Sequence, residues 1–243
     1  MLVLLQHKAG RVGMPLNGKK TLVTGGSRGI GFQISKIFLE NGASVLAVSR
    51  DTAKLAQAKD ALPDLHILQA DVSIAIDNDR VAAWIQDNWG MLDILVNNAG
   101  VSTSIIGSLS NIPDEEFEQI MRTNVSGPYL CTKHLLPLLL QSDDPRIVNV
   151  GSTSGVMSSS LSGVYGVSKV ALHALTIATA NELRGKVAVN ALSPGWVRTD
   201  MAPDAPGNPR TSAESALWLT TQPNKLTGKL FHGKAEIGWS SQS

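Results

Sequence analysis

Short aliphatic runs alternate along the chain with longer stretches in which apolar residues recur every three to four positions. The short runs lie at residues 21–23, 44–48, 66–70, 94–96, 147–150 and 187–192, with a last one at 229–231. They are nearly continuously apolar rather than alternating, the pattern of strands covered on both faces. The longer stretches predict helices over residues 30–41, 52–61, 76–89, 114–140, 164–183 and 212–221. Strand–helix alternation of this kind implies an α/β fold: a doubly wound parallel sheet between two helical layers. Two segments read as loops, residues 102–113 and 201–211. The second carries Pro203, Pro206 and Pro209, each of which removes a backbone donor and fixes φ. No repeat or linker divides the chain, so residues 18–243 read as a single domain behind a short arm, residues 1–17.

Composition narrows the function classes. With 21 Lys and Arg against 20 Asp and Glu, the 243 residues carry a formal charge of +1, and no run or face is basic. A nucleic-acid partner is not expected. The single cysteine, Cys131, excludes a disulfide framework and a thiolate metal cluster. His7, His66, His134, His173 and His232 lack ligand spacing, so no metal site is expected. The most apolar run, residues 135–140, is far short of the roughly 20 residues of a membrane span. Residues 1–5 are apolar but give way to Gln6, His7 and Lys8, unlike a secretory signal. The expectation is a cytoplasmic protein with no membrane partner.

The first strand runs into Thr24-Gly25-Gly26-Ser27-Arg28-Gly29-Ile30-Gly31 and then a helix. Glycines at such a turn let the backbone approach a pyrophosphate, which rests on the free amides of the helix N-terminus. The spacing is Gly-x-x-x-Gly-x-Gly rather than the usual Gly-x-Gly-x-x-Gly. At the end of the second strand stand Ser49 and Arg50, with no carboxylate at Ser49 to accept bonds from ribose hydroxyls. A small residue beside a cation suits a 2′-phosphate, and Arg28 in the glycine turn is a second cation for it. NADP(H) is therefore favoured over NAD(H). The alternative for each arginine is a solvated surface charge.

Tyr165 and Lys169 are four apart on a predicted helix and share one face. A nearby ammonium favours phenolate and is expected to lower the tyrosine pKa from its usual value of about 10. The pair would supply a proton donor or acceptor without metal or thiol. Gly151 and Ser152 follow the strand at 147–150, at the strand end where a parallel sheet binds ligands. Ser152 lacks the Gly-x-Ser-x-Gly elbow of a hydrolase nucleophile.

Taken with Asp71-Val72, Asn97-Asn98-Ala99-Gly100, Asn124 and Ser193-Pro194-Gly195, these motifs stand in the order seen in the short-chain dehydrogenase/reductase family, which residues 18 to about 232 resemble. The resemblance implies a Rossmann-type domain and a carbonyl-reductase-like oxidoreductase acting on CH–OH or C=O groups. It implies Asn124, Ser152, Tyr165 and Lys169 as catalytic residues: Ser152 holds the substrate oxygen, Tyr165 passes the proton, and Asn124 belongs to a water-linked relay ending at Lys169. It places Gly25, Ser27, Arg28, Gly29, Ile30, Gly31, Ser49, Arg50, Asp71, Val72, Asn98, Ala99, Gly100, Pro194, Gly195, Val197 and Thr199 around the cofactor, with Tyr165 and Lys169. Asp71 would meet the adenine amino group with Val72 beside the ring. Val197 and Thr199 would meet the carboxamide, and Trp196 would lie toward the substrate. It also implies a homodimer or homotetramer through the helices at 114–140 and 164–183.

Three positions have local readings that compete with these roles. Asp71 caps a turn before Ser73, Asn124 is a buried structural polar group on a stripe of Phe117, Ile120, Met121 and Val125, and Trp196 is a packing residue. Two places depart from the family pattern: the abbreviated link at Leu183-Arg184-Gly185-Lys186, and the short segment between Thr199 and Ala213, where many members carry a helical lid. A more open or differently covered pocket follows. The segments 153–164 and 201–211 hold no cationic cluster, which favours a small or medium uncharged aldehyde or ketone. A 3-oxoacyl thioester reductase with a carrier-protein partner, and a non-enzymatic dinucleotide sensor, are the other readings.

Overall fold

The computed structural model describes residues 14–103, 109–155 and 163–238. Residues 104–108 of the proposed loop 102–113, residues 156–162 of the segment 153–164, most of the arm and residues 239–243 lie outside them. The apolar runs form β1 (Lys20–Thr24), β2 (Ser44–Ser49), β3 (His66–Gln69), β4 (Ile94–Asn97), β5 (Arg146–Val150), β6 (Ala188–Ser193) and β7 (Leu230–His232). An eighth strand, β8 (Ala235–Ile237), was not expected from the sequence. The sheet order is β3-β2-β1-β4-β5-β6-β7-β8, parallel throughout except for the β7–β8 hairpin. The hairpin turns through Gly233 and Lys234, two residues between His232 and Ala235.

The helices are α1 (Gly29–Glu40), α2 (Thr52–Ala61), α3 (Ala75–Trp89), α4 (Asp114–Met121), α5 (Gly127–Leu139), α6 (Gly163–Glu182) and α7 (Pro209–Thr220). Residues along each central strand alternate between two cores. Val23, Val45, Ala47, Ile94, Val96 and Val148 pack under α1, α2 and α7. Leu22, Leu46, Val48, Leu95 and Ile147 pack under α3 and α5. Burial on both faces is why the strands read as unbroken apolar runs. The architecture is the three-layer Rossmann-type domain.

Three local expectations need correction. The stretch 114–140 is not one α-helix: α4 and α5 are joined by a π-helical turn at Arg122–Ser126, where the Gly127 amide bonds the Arg122 carbonyl. Pro128, just beyond the turn, removes one of the α-helical bonds that would compete with it. It stands four residues after Asn124 and has no N–H to give the Asn124 carbonyl. Of the proposed stripe on this stretch, Ile120 is buried, whereas Phe117 is 39% exposed. The loop expected over 201–211 ends early, because Pro209 opens α7 rather than breaking a helix. At the first helical position its missing donor costs nothing, and Asn208 caps the helix by accepting from the Arg210 amide at 2.9 Å. At the other end, Leu16, assigned to the arm, is fully buried in the first core, and its amide bonds the Asn41 carbonyl. The domain's packing begins before residue 18.

Candidate active site

Strand order reverses between β1 and β4, and the crevice at their carboxyl ends is the expected ligand position. The glycine turn occupies it. A Cβ on Gly31 would stand 2.2 Å from the Gly25 carbonyl oxygen and 2.4 Å from Asn98 Nδ2, so only glycine lets α1 pack this closely on the turn. Arg28 at the N-terminus of α1 makes no side-chain cap, and no acidic residue occupies the first turn. The helix end therefore keeps its anion-binding character. The residues present fit a dinucleotide pyrophosphate.

Asn98 clamps this turn. Its Nδ2 donates to the Thr24 carbonyl at 2.8 Å and to the Gly25 carbonyl at 3.2 Å. The amides of Asn98 and Ala99 both donate to Thr24 Oγ1 at 3.0 Å. Its side chain thus shapes the cradle rather than extending into it. Asp71 serves its local turn. One carboxylate oxygen accepts from the Ser73 amide at 2.9 Å and the Ser73 hydroxyl at 2.7 Å, and the other lies 3.6 Å from Arg50. Burial pushes the Asp71 carboxyl upward, but the Ser73 bonds and the Arg50 charge outweigh it and hold the pKa below the usual value.

Gly25, Ser27, Arg28, Gly29 and Ile30 line one cleft with Ser49, Arg50, Asp71, Val72 and Asn98–Gly100, and Tyr165, Lys169, Pro194 and Thr199 complete its walls. Gly195 and Val197 do not line it: Gly195 lies beside the His232 ring, and Val197 is buried. Trp196 is 69% exposed, so it does not pack in the core of this chain, and it is not on the cleft wall. Sequence reasoning missed Val101, Asp200 and Met201, which also line the cleft. Asp200 reaches across to Arg28, with Oδ2 2.6 Å from Nη1. Arg28 and Arg50 are therefore each paired with a carboxylate, a detail with no signature in the sequence.

The segment after β6 carries no helix before α7. Instead it folds back on itself. The Arg198 amide bonds the Gly207 carbonyl at 2.9 Å, the Gly207 amide bonds the Trp196 carbonyl at 3.2 Å, and Ala205 is fully buried between. A second short bridge joins Thr199 and Ala202, with Asp200 and Met201 at its tip. A folded strap thus borders the cleft where a helical lid is the common arrangement.

α6 carries both Tyr165 and Lys169. Lys169 Nζ lies 5.6 Å from the centre of the Tyr165 ring and donates to the Val150 carbonyl at 2.9 Å. Burial pushes the Lys169 ammonium down to about 8. Burial also raises the Tyr165 phenol, and a hydrogen bond with the Ser152 hydroxyl acts in the opposite sense. The sequence expectation that Lys169 lowers Tyr165 is thus corrected: the ammonium is spent on a backbone carbonyl, and desolvation dominates. Asn124 sits in the π-helical turn. Its Oδ1 accepts from the Val101 amide at 2.8 Å, and its Nδ2 donates to the Val101 carbonyl at 2.9 Å and to Ser168 Oγ at 3.0 Å. Its side chain ties three elements together and makes no bond to Lys169. Cys131 is buried, with its thiol pushed up to about 12, and takes no part in the site. Among the described residues no cluster of His, Cys, Asp and Glu could hold a metal, and no helix is long and apolar enough to cross a membrane.

A family model for short chain dehydrogenases matches residues 19–209. The chain is 37% identical over 211 residues to the rhamnolipids biosynthesis 3-oxoacyl-[acyl-carrier-protein] reductase of Pseudomonas aeruginosa, covering 83% of this chain and 82% of that protein. It is also 37% identical over 201 residues to a 3alpha-hydroxysteroid dehydrogenase of Mediterraneibacter gnavus, covering 79% of each. Among solved structures, the Pseudomonas aeruginosa RhlG/NADP active-site complex superposes with a TM-score of 0.81 at 32% identity, over 90% of this chain and 96% of that one. With the order of motifs and the sheet topology, these matches establish that the chain belongs to the short-chain dehydrogenase/reductase family of oxidoreductases.

Proposed function

We propose that this protein is an NADPH-dependent reductase converting a small or medium uncharged aldehyde or ketone to its alcohol, reversibly. The observation that carries the reading is the meeting of Ser152, Tyr165 and Lys169 beside the glycine turn, at the carboxyl edge of a parallel sheet. When bound, the reduced nicotinamide supplies a hydride to the carbonyl carbon. Tyr165 gives its phenolic proton to the carbonyl oxygen, so that the C=O bond becomes CH–OH. Ser152 holds that oxygen beside Tyr165. Lys169 orients the nicotinamide ribose, the Ser152 hydroxyl favours the phenolate that is left, and Asn124 supports the path that reprotonates it. The π-helical turn gives this last role a route: with Pro128 in place, the Asn124 main-chain carbonyl has lost its α-helical donor.

Arg28 and Arg50 at the adenosine end support NADP(H) over NAD(H), as does the likeness to a relative solved with NADP. The second reading, a 3-oxoacyl thioester reductase, is favoured by the name of the Pseudomonas relative. The apolar residues exposed on α4, α5 and α6, among them Phe117, Tyr129 and Val170, support assembly as a homodimer or homotetramer.

NADPH oxidation against a panel of aldehydes, ketones and 3-oxoacyl thioesters tests the reading and separates its two forms. Tyr165→Phe is expected to lower turnover by at least 100-fold, the scale of general acid catalysis, with NADPH affinity nearly unchanged. Undiminished turnover in Tyr165→Phe would remove the mechanism.

A further inference from the structure

β5 ends at Val150, and the next residues must present Ser152 to Tyr165. Each amide along this exit has a partner. The Gly151 amide bonds the Leu192 carbonyl at 2.8 Å, and the Thr153 amide bonds Ser193 Oγ at 3.0 Å, both on β6. The Ser154 amide bonds Ser152 Oγ at 3.1 Å. The Ser152 amide turns the other way, toward α6, and donates to His173 Nε2 at 3.3 Å.

His173 is 2% exposed and stands four residues after Lys169 and eight after Tyr165, on the same helical face. Its ring lies directly against the backbone at Gly151: a Cβ there would come within 2.2 Å of Nε2 and 2.9 Å of Cδ2. No side chain fits between them, so glycine at 151 and histidine at 173 form one interlocked contact. Around it, α6 grips the end of β5 at successive residues. Thr176 Oγ1 accepts from Asn149 Nδ2 at 2.9 Å, Lys169 donates to the Val150 carbonyl, and His173 holds Ser152.

We infer that His173 is a positioning residue: a neutral imidazole, accepting at Nε2, that fixes the Ser152 backbone and so sets the Ser152 hydroxyl against the Tyr165 phenol. The inference rests on the reading of Ser152 and Tyr165 as the reacting pair. The accepting Nε2 assigns the ring proton to Nδ1. Helix α6 then carries both the proposed proton donor and the clamp for its partner.

The test compares His173→Leu, which fills the space without an acceptor, with His173→Gln, whose amide oxygen reaches the ε position. His173→Leu is expected to lower kcat roughly 10- to 100-fold, because sub-ångström misplacement of a substrate-holding group costs on that order. The dissociation constant for NADPH, read by fluorescence, is expected to stay within about twofold, and His173→Gln to recover most of the kcat. Equal losses in the two variants, or a loss of NADPH sites in proportion to activity, would show a merely structural role.

A second readout needs no substrate. The chain has two tyrosines, so Tyr129→Phe leaves Tyr165 as the single signal in the NMR spectrum of protein labelled at tyrosine Cζ. In that background Ser152→Ala and His173→Leu are both expected to move the Tyr165 titration upward, and His173→Gln to restore it. An unmoved titration overturns the inference even if the enzyme is active. A moved titration sustains it even if no carbonyl compound is reduced, in which case the proposed activity fails by itself.

Discussion

The ion pair between Arg28 and Asp200 sets two demands on one guanidinium. If Arg28 meets the 2′-phosphate of NADPH, Asp200 competes for it and repels the incoming phosphate. The pair is short, 2.6 Å, but both side chains are more than half exposed, at 61% and 63%. Exposed pairs of this kind are worth roughly 0.2–1 kcal/mol. Replacing Asp200 by Asn keeps the side-chain shape and removes the charge, so NADPH binding should tighten by about 1.4- to 5-fold. NADH, which has no 2′-phosphate, should change much less. The assay is fluorescence titration of both cofactors at low and high salt, and the gain should shrink as salt screens the exposed charges. Arg28→Ala alone should weaken NADPH, and in that background Asp200→Asn should keep only the part of its benefit that comes from direct repulsion of the phosphate, the mark of a coupled pair. Unchanged or weaker NADPH binding in Asp200→Asn, or an equal effect on NADH, would refute the assignment of Arg28 to the phosphate.

Two further outcomes follow from the site and from the helices around it. Burial brings the Lys169 pKa from its usual 10.5 down to about 8, so the ammonium is lost at lower pH than for an ordinary lysine. If reduction needs that cation, kcat/KM should fall as pH rises through about 8, approaching tenfold per unit, and Lys169→Arg should remove this limb; a profile flat through that pH defeats the cation requirement. On the outer faces of α5 and α6, Tyr129 and Val170 are 49% and 42% exposed. Tyr129→Glu or Val170→Glu should convert an oligomer to a monomer in light scattering, and a wild-type monomer would sink the proposed assembly.

The elements were legible where one physical signal decided them. Residues 44–48 read as a strand because both faces of β2 are buried, and Thr52–Ala61 was placed without error. The glycine turn, Ser152 and the Tyr165–Lys169 pair were legible as motifs, because helical spacing and strand ends fix their neighbourhood. Features that depend on residues far apart in the chain left no such mark. Arg28 and Asp200 are 172 residues apart, and nothing near either predicts the other. The strap between β6 and α7 shows in the sequence only as a proline-rich stretch, because its order comes from backbone bonds between Trp196, Arg198 and Gly207. The π-helical turn did leave a signal, Pro128 four residues after Asn124, hidden by reading 114–140 for apolar period alone. The hairpin strand β8 offers no apolar run: Glu236 interrupts Ala235 and Ile237, because this strand lies at the sheet edge with its first two residues exposed.

A buried polar group is costly unless its hydrogen bonds are made inside the protein, and folding alone favours apolar residues at such positions. Asn124, Lys169 and His173 are each no more than 5% exposed. All three share one arrangement: the side chain bonds the backbone of another element, Val101 for Asn124, Val150 for Lys169 and Ser152 for His173. These backbone atoms follow β4 or end β5, the strands whose carboxyl ends border the cleft. For these three residues, polar burial serves strand ends that have left the ladder and need partners. Side chains from the π-helical turn and from α6 supply them, and the same bonds hold the proposed reacting groups in register. On this account Asn124→Ala and His173→Leu should disturb turnover through backbone position rather than through lost contact with substrate. Their effects should also be less than additive, since both act on the position of α6 against the sheet edge.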